Sequence, residues 1–369
     1  MIHRVLLMII CVGCVLLTTS VLSFAHERNH WTPKRVWSLK GSVVKHRVNF
    51  PVQLSTGQKF TMTGFFYFKV GRVSRCLSFK SQSQVMACLI QVNVGRKPIQ
   101  TLIPGLTYNH RYWDGPRINR RNYSYAQFMA RNGFVVLALD LLGSGKSDVP
   151  DGDLLTLKES SFTIAQVLFR LKSGHNPLRR SFRKVIVVGH SLGAILSVYT
   201  LGKFPHAADA LVVTAWAFAP HVVLMPDIVL AALEKPYVQL PSEIRTQAFY
   251  FLSKTDPVMP IFDNRVLADQ TPRGIFTQGL PLLQAMARGN ADDVAFIKDF
   301  SRSNRIRVPV LVQLGEFDVL SPASLAGQEA SFYPRAPKVK VQTLPRIGHS
   351  FNLHVNRLES WKRVVWWLR

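Results

Sequence analysis

Lys184-Val-Ile-Val-Val-Gly189-His190-Ser191-Leu192-Gly193-Ala194 is the stretch whose reading decides this chain. A β-branched apolar run leads into Gly-x-Ser-x-Gly, and a helical pattern over residues 192–203 leads out of it. The short pattern alone is weak, because with Gly near 7% of residues and Ser similar, about one chain in ten of this length carries it by chance. The strand before it and the helix after it make it specific. A tight strand-to-helix turn lifts a serine hydroxyl above the sheet edge, and glycine at 189 and 193 avoids clashes there. The start of the helix offers free N–H groups and a partial positive charge to an oxyanion developing beside Ser191.

Similar apolar runs recur on both sides. Residues 99–103 end at Pro104-Gly105, 134–139 at Asp140 and 308–314 at Gly315, while 210–214 and 339–344 complete the set. Continuous runs of this kind, closed by Gly or Asp, suit strands buried on both faces of a parallel sheet. Helical patterns over 123–132, 162–171 and 192–203 lie between several of them. The alternation predicts an α/β fold with a mostly parallel, doubly wound sheet, whose chemistry gathers at the carboxyl ends of the strands. Three β-rich runs come earlier, at 47–54, 60–70 and 85–94, and are expected to open the sheet in antiparallel fashion. Residues 219–305 break the rhythm with Pro220, Pro226, Pro236, Pro241, Pro257 and Pro260. The expectation is a helical cap at 219–305 inserted into a core formed by 42–218 and 306–369.

The first residues have the grammar of an export signal: His3 and Arg4, an uncharged stretch over 5–25, then Ser23-Phe24-Ala25 with small residues at the −3 and −1 places of a cleavage site. The same stretch is just long enough to serve as an uncleaved membrane anchor. Residues 26–41 read as a polar linker. Of the 4 cysteines, Cys76 and Cys88 fall in the body. In an exported protein they could form a disulfide; otherwise they are free thiols. No Cys/His cluster there has zinc-ligand spacing, and neither a metal nor an organic cofactor is expected.

The 369 residues hold 47% hydrophobic and 18% charged residues, enough for a large core and unlike a disordered chain. The formal net charge is +25. Such a balance favours anionic surroundings, including an anionic surface or membrane. Nucleic acid is not the expected partner, because neither a groove-reading motif nor a stacking platform is found. Gly145-Lys146-Ser147 echoes a phosphate-binding loop, but that motif needs glycine where this chain has Asp140.

These signatures together resemble the α/β-hydrolase superfamily over about residues 43–369. Pro104-Gly105-Leu106-Thr107 stands where that family carries its oxyanion loop, with Pro104 in place of the usual His. Asp140-Leu-Leu-Gly143-Ser-Gly145-Lys-Ser147 resembles the family's D-x-x-G-x-G-x-S turn. The stretches 112–114 and 123–125 are similar to a subgroup of secreted, capped hydrolases. The resemblance implies a chain order of nucleophile, acid and histidine. Ser191 would be the nucleophile, Asp318 in Gly315-Glu-Phe-Asp318 the acid, and His349 in Gly348-His349-Ser350 the base. Glu316 and His354 are the rivals for the last two roles. The backbone N–H groups of Leu106 and Leu192 would form the oxyanion hole.

The chemistry implied is ester cleavage through an acyl-enzyme on a small or lipid-like apolar substrate. Lactone or polyester hydrolysis, acyl transfer, or a non-catalytic binding role on the same fold are the alternatives. The amphipathic, Trp-rich segment 357–369 is expected to pack on the sheet or to lie at a membrane interface.

Overall fold

The structure is a computed structural model and describes residues 21–23, 32–222, 234–250 and 255–369. The sheet strands are β1 (Val21–Ser23), β2 (Val43–Gln53), β3 (Lys59–Lys69), β4 (Ile99–Ile103), β5 (Val135–Leu139), β6 (Val185–His190), β7 (Ala210–Thr214), β8 (Val310–Gly315) and β9 (Val339–Leu344). They form one sheet in the order β1-β2-β3-β5-β4-β6-β7-β8-β9. β2–β3 and β3–β5 pair antiparallel. The pairs from β5 through β9 are all parallel. The expected α/β architecture, a mostly parallel sheet covered by helices, is therefore present. The six apolar runs that predicted the parallel strands fall on β4 to β9.

Burial explains the sequence pattern. Every residue of β4, β5, β6, β7 and β8 is buried. Among the parallel strands only the outer β9 is half-open, and its sequence, Val-Lys-Val-Gln-Thr-Leu, alternates accordingly. The helices that matter are α1 (Pro33–Trp37), α2 (Gln82–Asn93), α3 (Tyr125–Arg131), α4 (Leu157–Ser173), α5 (Leu192–Lys203), α6 (Ser242–Tyr250), α7 (Arg273–Arg288), α8 (Ala291–Ser301) and α9 (Leu358–Leu368).

Two expectations are corrected. The run at 85–94, read as a strand, belongs to helix α2. Ser81 caps it by accepting from the Gln84 amide at 3.2 Å, and Val85, Met86, Leu89 and Ile90 bury one helical face. Cys88 on this helix is bonded to Cys76, so the pair is a disulfide. Of the stretch 26–41, read as a linker, only residues 32–41 are described, and they are more than a linker. Residues 32–40 include α1, capped by Thr32, and bury Val36 and Leu39. The leader reading of 1–25 lies outside the described residues, apart from the short strand β1. No helix among the described residues is long and apolar enough to cross a membrane.

Between β7 and β8 the chain forms α6, α7 and α8. α7 packs on α4 and α8 on α5, so these two extend the helical layer. α6 and residues 259–272 instead meet the loops at the carboxyl ends of the strands. At the C-terminus, α9 packs inward through Trp361, Val364 and Leu368, while Trp366 is exposed.

Candidate active site

Ser191 sits in the turn between β6 and α5 with φ 51° and ψ −120°. That conformation costs a non-glycine residue of order 1–3 kcal/mol, so surrounding structure must hold it. The hold comes from close packing. A side chain at Gly189 would strike the backbone of Ala194 and the Ser197 hydroxyl, and one at Gly193 would strike the Ile103 and Pro104 carbonyls. As the residue preceding the helix, Ser191 would ordinarily cap it, yet its hydroxyl makes no capping bond. The Oγ lies 2.8 Å from His349 Nε2 instead.

His349 follows β9, and its Nδ1 is 2.9 Å from Asp318 Oδ1 and 3.0 Å from Oδ2. Asp318 follows β8 and is held in place by accepting from the Leu320 and Ser321 amides at 2.9 and 3.0 Å. All three side chains are buried. The tertiary structure thus brings three segments, distant in sequence, into one hydrogen-bonded chain. The rivals stand apart. Glu316 is exposed and accepts from the Arg346 amide at 2.8 Å. His354 is buried against Tyr250, and burial pushes its pKa down to about 3. His190, stacked on Tyr112, is likewise pushed down, by burial first and then by His349 and His354, so it brings no charge beside Ser191.

The loop 104–107 presses on the same turn. A side chain added at Gly105 would lie 3.3 Å from Ser191 Cβ. Among the described residues, no hydrogen-bond acceptor meets the amide of Leu106 or of Leu192. Two donors beside a serine hydroxyl, neither consumed elsewhere, can receive an oxyanion.

Pro104 cannot support this loop as a histidine would, and the structure supports it differently. Thr107, at φ 53°, donates its amide to Thr271 Oγ1 at 2.8 Å. Its carbonyl accepts from the Asp269 amide at 2.9 Å and from Arg245 Nη1 at 3.1 Å. Arg245 also meets the Thr107 hydroxyl. The guanidinium is fully buried, paired with Asp263 at 2.7 Å. Asp263 in turn accepts from Tyr108 at 2.9 Å and Tyr250 at 2.8 Å, and the Tyr108 hydroxyl reaches Ser350, next to His349, at 2.9 Å. Phe249 stacks on the His349 ring. One buried network therefore ties the insertion to both the 104–107 loop and the histidine loop.

Sequence reasoning missed this network. Arg245 is one of 46 Lys and Arg, with no local signature.

The D-x-x-G-x-G-x-S turn is a scaffold as well. Asp140 Oδ1 accepts from the His110 amide at 2.7 Å, and Oδ2 from the Lys146 amide at 2.8 Å. The Ser147 hydroxyl donates to the Asp140 carbonyl at 2.6 Å. Gly143 and Gly145 take positive φ, and a side chain at Gly145 would overlap the Asp140 carboxylate. The stretches 112–114 and 123–125 meet each other: Ser124 donates to Asp114 at 2.6 Å, and Asp114 is paired with Lys45 at 2.8 Å.

The profile of the Alpha/beta hydrolase family matches residues 102–362, and the chain belongs to that family. Among solved structures it resembles an esterase from Exiguobacterium antarcticum, with TM-score 0.53 and 15% identity over 86% of this chain and 98% of that one. A bromoperoxidase from Bacillus anthracis resembles it equally, with TM-score 0.53 and 13% identity over 86% and 99%. At such identities the likeness is one of fold. A probable lysophospholipase of Arabidopsis thaliana, BODYGUARD 1, is 38% identical over 89 residues, 23% of this chain. The match spans only 17% of that protein's length.

Proposed function

We propose that this chain is an exported serine hydrolase that cleaves carboxylic esters of an apolar substrate. The observation that carries the reading is the buried chain Ser191–His349–Asp318 at a strained strand-to-helix turn, with two free amides beside it. His349 Nε2 takes the Ser191 proton as Oγ attacks the ester carbonyl. The Leu106 and Leu192 amides hold the resulting oxyanion, each contributing about 3 kcal/mol. The tetrahedral centre collapses, the ester C–O bond breaks, and the alcohol leaves with the proton from His349. Water then gives its proton to His349, attacks the acyl-enzyme and releases the acid, returning the proton to Ser191. Asp318 fixes the imidazole orientation and offsets its charge while it is protonated. The aromatic surroundings, Phe249 on His349 and Tyr112 on His190, favour an apolar acyl or ring group. Export is supported by the leader grammar of 1–25 and by the Cys76–Cys88 disulfide, a bond that persists in oxidising compartments.

The test is a fluorophosphonate probe together with a 4-nitrophenyl ester series of rising acyl length. Wild type labels and turns over esters, whereas Ser191→Ala does neither. Ester cleavage surviving in Ser191→Ala, or wild type that neither labels nor cleaves any ester, overturns the proposal.

A further inference from the structure

The +25 charge is not used by the site, and the topology gives much of it one address. In the four residues before every parallel strand except β7 the chain places cations: Arg96 and Lys97 before β4, Arg131 before β5, Arg183 and Lys184 before β6, Arg307 before β8, and Arg335 and Lys338 before β9. These positions share the amino end of the sheet, opposite the carboxyl end that carries Ser191. Lys69 joins them, because β3 runs antiparallel and ends there, with Tyr67 opposite Val136 of β5. Among the described residues of all these approaches, that to β7 included, the one acid is Asp209, and it is already paired with Lys172 at 2.8 Å. Lys184, Arg307 and Lys338 are exposed, as is Arg183. The crowding is physical: Lys97 is pushed below its ordinary pKa by burial and then by the charges of Lys69 and Arg72.

Two exposed tryptophans stand at the same end. Trp37 is 52% exposed on α1, and the chain just after α1 is fixed there by the Gly41 amide donating to the Val70 carbonyl at 2.7 Å. Trp366 is 69% exposed on α9, whose last carbonyl, that of Leu368, accepts from Lys184 Nζ at 3.3 Å. Each ring has an ammonium near its face, Lys40 at 5.1 Å and Lys340 at 4.5 Å. Exposed Trp beside Lys and Arg is the chemistry of a bilayer interface, where the ring sits among headgroups and the cations meet lipid phosphates.

We infer that the amino end of the sheet is a docking face for an anionic phospholipid surface, holding the protein with its Ser191 end turned away from the membrane. The inference does not depend on the ester chemistry.

The test uses the full chain in sedimentation with vesicles of phosphatidylcholine alone or mixed with phosphatidylglycerol. Comparing variants of one chain cancels any contribution of the N-terminal apolar stretch. Wild type binds the anionic vesicles more tightly, and the preference declines as sodium chloride is raised. The variant R183E/K184E/R307E/K338E loses at least about a hundredfold of that preference, since each cation is worth about fivefold at an anionic surface. Its far-UV circular dichroism and urea midpoint stay near those of wild type, which reports that it is folded. Should that variant not fold, R183Q/K184Q serves, with a loss of about tenfold or more. Trp37→Ala with Trp366→Ala weakens binding to both vesicle types while leaving the salt dependence intact. Equal binding of wild type to the two vesicle types, wild-type preference in the charge variants, or tighter binding to duplex DNA or heparin than to anionic vesicles overturns the inference.

Discussion

In the four residues after each parallel strand, at the carboxyl end, the chain carries Asp140, Glu316 and Asp318 against Arg346. In the four residues before each, at the amino end, it carries Arg96, Lys97, Arg131, Arg183, Lys184, Arg307, Arg335 and Lys338 against Asp209. The two ends also use charge differently. Asp140, Glu316 and Asp318 each accept a hydrogen bond from a backbone amide or from His349, so those charges fix loops. Arg183, Arg307 and Lys338 face solvent and fix nothing internal. In a parallel sheet the carboxyl end meets helix N-termini, whose free amides suit anions and reaction centres. The amino end is free of that task and can carry a charge selected for a partner.

The comparison can be broken by variants that act at one end alone. The largest expected effect is at Ser191. Ser191→Ala lowers kcat/KM for a soluble ester by roughly 10⁴-fold or more, while vesicle binding is unchanged. A variant that lost both would show that the two ends are not independent.

Arg245→Met is next. It leaves Asp263 buried without its partner, which costs about 3–5 kcal/mol of stability, read by denaturant titration. It also frees the 104–107 loop, and kcat is expected to fall about tenfold to a hundredfold with KM little changed. The double variant R245M/D263N recovers much of the stability but not kcat. Recovery of both would show that Arg245 matters only to folding.

Removing the disulfide, C76S with C88S, is expected to cost about 3 kcal/mol by denaturant titration in the chain-entropy view, with kcat retained.

The smallest effect is a slope. Glu329 is buried and accepts from the Phe218 and Ala219 amides at 2.7 and 3.0 Å, and burial raises its pKa to about 8. Its ordinary value lies near 4.3, so between these values the unfolded chain ionises while the folded chain stays protonated. Its contribution is therefore complete below about pH 4.3 and is lost as pH rises through about 8. Glu329→Gln keeps an acceptor for both amides and should flatten the fall, on the order of 2 kcal/mol between pH 5 and pH 7, measured as Tm against pH. An unchanged slope would show that Glu329 titrates as an ordinary carboxylate.

How much could be read beforehand depended on how local each signal is. The six parallel strands were legible because burial on both faces leaves an unbroken apolar run. Ser191 was legible because a strand, two glycines and a helix must adjoin it in sequence. Asp318 and His349 could be nominated from chain order, and the structure brings both to Ser191. α2 imitates a strand in sequence through Val85, Ile90, Val92 and Val94, and only its cap at Ser81 and its buried helical face mark it as a helix. Arg245 was invisible, since a buried guanidinium has no local pattern; its partners Thr107 and Asp263 come from a loop and a helical turn far apart in the chain.

The sequence by itself determined the class of fold, the turn at Ser191 and the excess of positive charge, because periodicity, glycine placement and composition are properties of the linear chain. Only the tertiary structure decided that Ser191, His349 and Asp318 share one hydrogen-bonded line, that Arg245 replaces the support Pro104 cannot give, and that scattered cations meet at one end of the sheet. Those are distances between residues far apart in the chain, and they are fixed by how parallel strands stack side by side with all their amino ends together.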